Sequence, residues 1–360
     1  MAKKEKKSLS KAVAKEISKK FDLASFKTRK GLISNTKFKD LEWLPLSEGF
    51  SKTLSIPGIP LGYVTLLRGH TDTGKTTAMI EAAVSAQKAG MLPVFIVTEM
   101  KWNWEHAIEM GLEMETVEDG EGNVIDYKGN FIYVDRESLD SVEDVASFII
   151  DLLDDQKAGN LPFNLLFLWD SVGSIPCRMS NEKKSNNNEW NAGAMSTQFG
   201  NNVNQRIVLS RKEGNPFTNT LVCVNKVWVA KPVVPMGQPK MMNKGGFTMW
   251  FDAGLVITFG NIANSGTSKI KAQNGGKTIE WAKRTNIQID KNHINNISTR
   301  GKIIMTSHGF IVDSPTSIKK YKDEHSDEWA EILGGKNFKI VEEEFEADVI
   351  PMPDFEKEPE

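Results

Sequence analysis

The chain has 360 residues, 39% hydrophobic and 26% charged, with a formal net charge of −2, a soluble globular balance sufficient for one large domain or two ordinary ones. No run of about 18 apolar residues marks a membrane span, and the basic start MAKKEKKSLSKAVAKEISKK lacks the apolar stretch of a signal peptide. Cys177 and Cys223 are the only two cysteines, too few for a disulfide framework or a cysteine-rich metal site; the expected location is the cytoplasm.

Leu9, Val13 and Ile17 recur at spacing four, which predicts a short amphipathic helix over residues 9–20. Phe21, Leu23 and Phe26 continue its apolar surface, and residues 28–60, with Pro45, Pro57 and Pro60, read as irregular. From Tyr63 the rhythm becomes strand, loop and helix. Strands are predicted at Tyr63–Leu67, Val94–Val97, Phe131–Val134, Leu165–Trp169, Leu221–Val224, Leu255–Phe259 and Ile303–Thr306. Helices are predicted over Lys75–Ala89 with Gly90 at the C-cap, from Asp140 or Ser141 to about Gln156, and over Ser196–Leu209. Val142, Val145, Ile149 and Leu152 form the buried face of the second. This alternation predicts an α/β fold, a mostly parallel twisted sheet with helices on both faces. Residues 180–194 and 229–247 break the rhythm as long polar connections. The lysine-rich start and the acidic tail from Glu342 to Glu360 read as solvated ends, or the tail competes with a polyanion for basic surface.

Gly69-His70-Thr71-Asp72-Thr73-Gly74-Lys75-Thr76 satisfies G-x-x-x-x-G-K-[ST], followed by Thr77, between a predicted strand and a predicted helix. Glycines let such a loop wrap so that backbone N–H groups and the helix N-terminus face phosphates. Lys75 then neutralises the β- and γ-phosphates of ATP, and the Thr76 hydroxyl holds Mg²⁺. Asp170 follows an apolar strand and is placed to hold the same Mg²⁺; the plainer reading is a turn residue. Glu99 follows the next strand as a candidate base for the attacking water, or a solvated helix-start glutamate. Asn225 ends another strand as a γ-phosphate sensor or a simple turn residue.

Together these residues resemble the RecA-type recombinases, including the phage UvsX-like branch, over about residues 60–312. The resemblance rests on GHTDTGKTT at 69–77, FIVTE at 95–99, LFLWDSVGS at 166–174, VCVNK at 222–226, GG at 245–246 and DKNH at 290–293. It implies a RecA-like ATPase core with Glu99 as the catalytic glutamate and Asp170–Ser171 as the metal-binding pair. It also implies an ATP-dependent recombinase that forms helical filaments on single-stranded DNA and pairs it with homologous duplex DNA, aided by single-strand-binding and loader proteins. Residues 1–59 would then contact a neighbouring protomer, and 313–360 would be a short extension with an acidic tail. Lys291 corresponds to a lysine that reaches a neighbour's ATP. Where the family has Gln after the sensor Asn, this chain has Lys226, which could meet the γ-phosphate as a point charge. His293 replaces a second interfacial lysine. The adenine-stacking position falls on His106, with Trp102 and Trp104 nearby. A hexameric helicase motor and a mediator without strand exchange share the same core.

The resemblance places two DNA-binding loops at 178–195 and 227–247. Arg178, Lys183 and Lys184 supply charge in the first, and Lys231, Lys240 and Lys244 in the second. Gly245 and Gly246 let the second loop bend, and Met236, Met241 and Met242 could insert between bases. Judged without the resemblance, these are solvated loops with lysines for solubility.

Overall fold

The computed structural model describes residues 22–29, 37–99, 101–185, 187–230, 240–243, 246–261 and 266–345. Two compact units separate, Met1–Lys39 with Lys212–Gly214, and Asp40–Arg211 with Asn215–Glu360. In the smaller unit, Asp22 Oδ1 accepts from Ser25 N at 3.0 Å at the start of α1 (Leu23–Arg29). Phe38 bridges Lys212. The helix expected over residues 9–20 lies outside the described residues, as do Lys231, Met236, Lys244, Gly245 and the tail beyond residue 345.

The larger unit opens with β1 (Trp43–Pro45) and β2 (Gly58–Pro60), paired antiparallel on either side of α2 (Glu48–Leu54). Residues 43–60 are thus not irregular as expected. Ser47 caps α2 by accepting from Phe50 N, and Phe50 and Leu54 are buried. Next come β3 (Val64–Gly69), α3 (Lys75–Lys88), β4 (Leu92–Val97), α4 (Trp104–Glu109), a hairpin of β5 (Glu115–Glu118) and β6 (Val124–Lys128), β7 (Ile132–Asp135), α5 (Val142–Ala158) and β8 (Leu165–Val172). They are followed by α6 (Arg178–Glu182), α7 (Asn188–Met195), a π-helical stretch Ser196–Val203, α8 (Asn204–Leu209), β9 (Thr220–Ala230), β10 (Lys240–Asn243), α9 (Thr248–Asp252) and β11 (Leu255–Phe259). The described chain closes with β12 (Thr267–Asn274), β13 (Lys277–Asn292), β14 (Arg300–Thr306), β15 (Gly309–Val312), α10 (Pro315–Leu333) and β16 (Lys339–Phe345).

A 12-stranded sheet runs β15-β14-β13-β11-β3-β9-β8-β4-β7, with β10 beside β9 and β12 between β13 and β16. From β11 to β7 the neighbours are parallel; the strands from β13 outward are antiparallel. Alternation sorts the parallel strands into two cores. Leu67, Phe95, Leu166, Leu168, Val222 and Val224 pack with Ala78, Met79 and Ala82 of α3. Leu66, Val94, Ile96, Phe167 and Trp169 pack with Val145 and Ile149 of α5 and with Phe199. Burial on both faces explains why these strands read as unbroken apolar runs, and each such side chain contributes about 1.5–3 kcal/mol.

Ser141 is the N-cap of α5: its Oγ accepts from Asp144 N at 3.2 Å, and Asp144 Oδ2 accepts from Ser141 N at 3.1 Å. Leu153 rather than Leu152 is fully buried on α5, since Leu152 is only partly covered. The polar run 180–194, expected to be irregular, is mostly helical, because Asn187 caps α7 by accepting from Glu189 N and Trp190 N. Beyond residue 313, α10 buries Tyr321, Trp329 and Leu333, and β16 pairs with β12 along its length. The first acids of the tail are therefore strand residues: Glu342 pairs with Arg284 and Glu343 with Lys271.

Candidate active site

The candidate phosphate loop, Gly69–Thr76, joins the end of β3 to α3. Gly69 has φ +152° beneath Phe259, where an added Cβ would lie 2.1 Å from the Phe259 carbonyl oxygen. Gly74 has φ +102° and is the N-cap of α3. These are the two places where the loop needs glycine. Asp72 also adopts a positive φ, of 58°. Thr73 Oγ1 donates to the His70 carbonyl at 2.8 Å, and Lys75 Nζ donates to the same oxygen. Thr71 lies exposed at the rim, whereas Thr73, Lys75 and Thr77 are buried.

Strand register brings the other expected groups to the same edge. Gly69 is level with Lys226 across β3 and β9, and Val97 with Asp170 across β4 and β8. The backbone N–H groups of Thr98 and Glu99 donate to the Asp170 carbonyl at 2.8 and 3.1 Å. Thr76 Oγ1 donates to Asp170 Oδ2 at 2.8 Å. Asp170 does not end its strand as expected, since β8 continues through Ser171 to Val172. Ser171 Oγ donates to Glu99 Oε2 at 3.1 Å, and Lys226 Nζ donates to Glu99 Oε1, with Lys101 Nζ 3.7 Å from that oxygen. Asn225 is buried one residue before Lys226.

Burial holds the Lys75 ammonium down to about 8, opposed in part by the Asp170 carboxylate. Burial likewise pushes the Asp170 carboxyl up, against the Thr76 hydrogen bond. Burial also raises Glu99, but the Lys226 ammonium and the Ser171 hydroxyl outweigh it and leave the carboxyl below its usual range. A desolvated ammonium facing a glycine-shaped loop favours a phosphate, which would restore its charge balance. The hydroxyl and carboxylate of Thr76 and Asp170 are hard oxygen donors suited to Mg²⁺. Among the described residues no group of three or more His, Cys, Asp or Glu could hold a metal.

Other expected residues lie elsewhere. Lys291 is paired with Val256, which is level with Leu66, three residues short of Gly69 along β3. Its Nζ donates to the Trp250 and Phe251 carbonyls at 3.0 and 2.6 Å at the end of α9. The structure therefore does not bring Lys291 to the phosphate loop of its own chain. Trp102 and Trp104 pack with Phe95 at 4.9 and 6.1 Å between ring centroids, and Trp104 stacks on Tyr127 at 5.2 Å. Their rings support the core; His106 remains at the start of α4, with burial lowering its pKa against Glu109.

Arg178 is ion-paired with Asp144 at 2.6 Å, so its charge is matched locally. Lys183 Nζ lies 4.9 Å over the Trp190 ring, and Lys184 has φ +48°. Lys240 opens β10, paired with Ala230. Gly246 has φ +87°, and a Cβ there would meet Ala192 Cβ of α7 at 3.1 Å, so the end of the second loop lies against the first. One network was not anticipated. Arg68 Nη2 pairs with Asp290 at 2.6 Å, its Nε donates to Thr258 Oγ1 at 2.9 Å, and its Nη1 donates to Asn243 Oδ1 at 3.3 Å. An arginine closing an apolar strand just before Gly69 is the one sequence signal that could have pointed to it.

A sheet that is parallel through its centre, from β11 to β7, with a glycine-rich loop at the end of a central strand, is compatible with a RecA-like core. No protein-family model matches the chain. Over 64 residues it is 36% identical to Protein RecA of Kineococcus radiotolerans, covering 18% of this chain and 18% of that protein. The match thus spans about a fifth of the relative's length. Among the described residues no helix is long and apolar enough to cross a membrane.

Proposed function

We propose that the chain is an ATP-dependent recombinase of the RecA type, placed in its phage UvsX-like branch. It acts in the cytoplasm as a filament on single-stranded DNA and exchanges that strand with homologous duplex DNA. Residues 60–312 form its ATPase core. The observation that carries this reading is the convergence of Lys75, the Thr76–Asp170 pair and Glu99 on one sheet edge.

In this reading the loop Gly69–Thr77 wraps the phosphates, Lys75 neutralises the β- and γ-oxygens, and Thr76 and Asp170 hold Mg²⁺. The cation, when bound, neutralises charge developing on the phosphate oxygens. Glu99 orients the attacking water and accepts its proton at a carboxylate oxygen. Asn225 senses the terminal phosphate, and Lys291 reaches the nucleotide of a neighbouring protomer. Lys183, Lys184, Lys231, Lys240 and Lys244 contact DNA phosphates, with Gly245 and Gly246 as hinges and Arg178 in a lesser part because Asp144 already neutralises it.

Joint-molecule formation between a single strand and a homologous supercoiled plasmid tests the proposal, with Lys75→Ala as control. Wild type should form joint molecules with ATP and Mg²⁺, and Lys75→Ala should form none. DNA-stimulated hydrolysis without joint molecules would leave a motor or mediator instead.

A further inference from the structure

We propose that Trp169 is a positioning residue for Glu99: its indole N–H holds Thr98, and Thr98 fixes the turn from which the Glu99 carboxylate reaches the nucleotide edge. The inference rests on the ATPase reading of that edge and deepens it. Trp169 is fully buried in β8, one residue before Asp170. Strand alternation sends its ring to the α5 face of the sheet, where it stacks on Phe199 at 4.8 Å between centroids and 22° between planes. β4 alternates likewise, with Ile96 on the α5 face and Val97 on the α3 face. Thr98, also fully buried, meets the indole where β4 ends, and Trp169 Nε1 donates to Thr98 Oγ1 at 3.0 Å. Because α3 packs on the other face, the ring acts through Thr98 rather than on a phosphate.

Thr98 Oγ1 also lies 2.6 Å from Ser174 Oγ and 3.1 Å from the Ser171 carbonyl oxygen, which Ser174 Oγ approaches to 2.6 Å. The two hydroxyls have one hydrogen each for these three contacts, whereas an indole is a donor only. Trp169 is therefore the fixed point of the cluster. Burial alone does not impose this bond, since the indole N–H groups of Trp102, Trp250 and Trp281 are buried with no partner among the described residues. The backbone is tied to the same strand, because Thr98 N and Glu99 N both donate to the Asp170 carbonyl. Every one of these tethers comes from residues 169–174. The segment that carries the base is thus held in register against the segment that carries Asp170 and Ser171, and Ser171 Oγ completes the fit by donating to Glu99 Oε2. Removing the indole donor frees the side-chain half of that hold and leaves the backbone half.

The test compares wild type with Trp169→Phe, which keeps a ring on Phe199 and removes the donor, and Thr98→Val, which removes the acceptor at similar volume. Their double variant and Thr98→Ser, which keeps the hydroxyl, complete the set. kcat and KM for ATP are measured with and without oligo(dT). Trp169→Phe and Thr98→Val should each lower kcat by about tenfold to a hundredfold at unchanged KM, the pattern of a misplaced base. The double variant should lose no more than either single one, because both delete the same bond, and Thr98→Ser should keep the wild-type kcat. Losses that multiply in the double variant, a Thr98→Ser as slow as Thr98→Val, or an unchanged kcat in Trp169→Phe overturn the proposal. Amide hydrogen exchange at Thr98 and Glu99, followed without nucleotide, should quicken in Trp169→Phe while residues 165–168 stay protected; equal exchange at 98–99 overturns the tether. Should Trp169→Phe not fold, Thr98→Val beside Thr98→Ser carries both readouts. If wild type hydrolyses no ATP, the ATPase reading fails, and the exchange comparison alone decides whether Trp169 holds the turn.

Discussion

Glu81 shows how a single carboxylate ties α3 to its surroundings. It sits on α3 and accepts from Phe310 N at 2.8 Å and Ser47 N at 3.1 Å, joining α3 to β15 and to the start of α2. Burial raises its pKa above the ordinary 4.5, against the pull of those donors. A carboxyl raised by folding stabilises the native state at pH below its unfolded value, and that contribution is lost as pH rises through the folded value. Wild type should therefore gain stability relative to Glu81→Gln as pH falls from 7 toward 4.5. Denaturant midpoints of both proteins across that range check it, and parallel profiles would refute the assignment. That Lys75, Thr76, Asp170 and Glu99 share one sheet edge was legible, because each lies in or shortly after a recognisable apolar strand. The partner of Lys226 was not, because the meeting with Glu99 depends on the sheet order β9-β8-β4, in which two distant segments become near neighbours.

At the scale of elements, legibility follows burial. The strands β3, β4, β8, β9 and β11 are covered on both faces and spell continuous apolar runs, so they stand out. Strand β12, Thr-Ser-Lys-Ile-Lys-Ala-Gln-Asn, lies in the antiparallel part of the sheet and buries mainly alternate residues such as Ile270 and Ala272, a far weaker signal. β1 and β2 have three residues each and include prolines, which mimic a loop. Helix α7 hides in an asparagine-rich stretch because its start depends on the Asn187 cap. The cap on α5 was legible, as either Asp140 or Ser141, and the structure selects Ser141. Removing it with Ser141→Ala should cost about 1 kcal/mol. The expected readout is a lower denaturant midpoint at unchanged m-value, with hydrolysis at low denaturant unaffected; an unchanged midpoint would mean that Asp144 and solvent fully replace the cap.

Across the whole molecule, one architectural decision governs the rest. Parallel pairing from β11 to β7 brings Lys75, Asp170, Glu99 and Lys226 to one edge, and burial there lowers the Lys75 pKa. The antiparallel strands, closed by β16, fasten the acids Glu342 and Glu343 to Arg284 and Lys271. In the proposed function this edge hydrolyses ATP with Glu99 as the base. Its most direct measurement is Mg-ATP affinity and steady-state hydrolysis of Glu99→Gln beside wild type. Affinity should be retained while turnover falls by about 10²–10⁴-fold; turnover equal to wild type would contradict the claim.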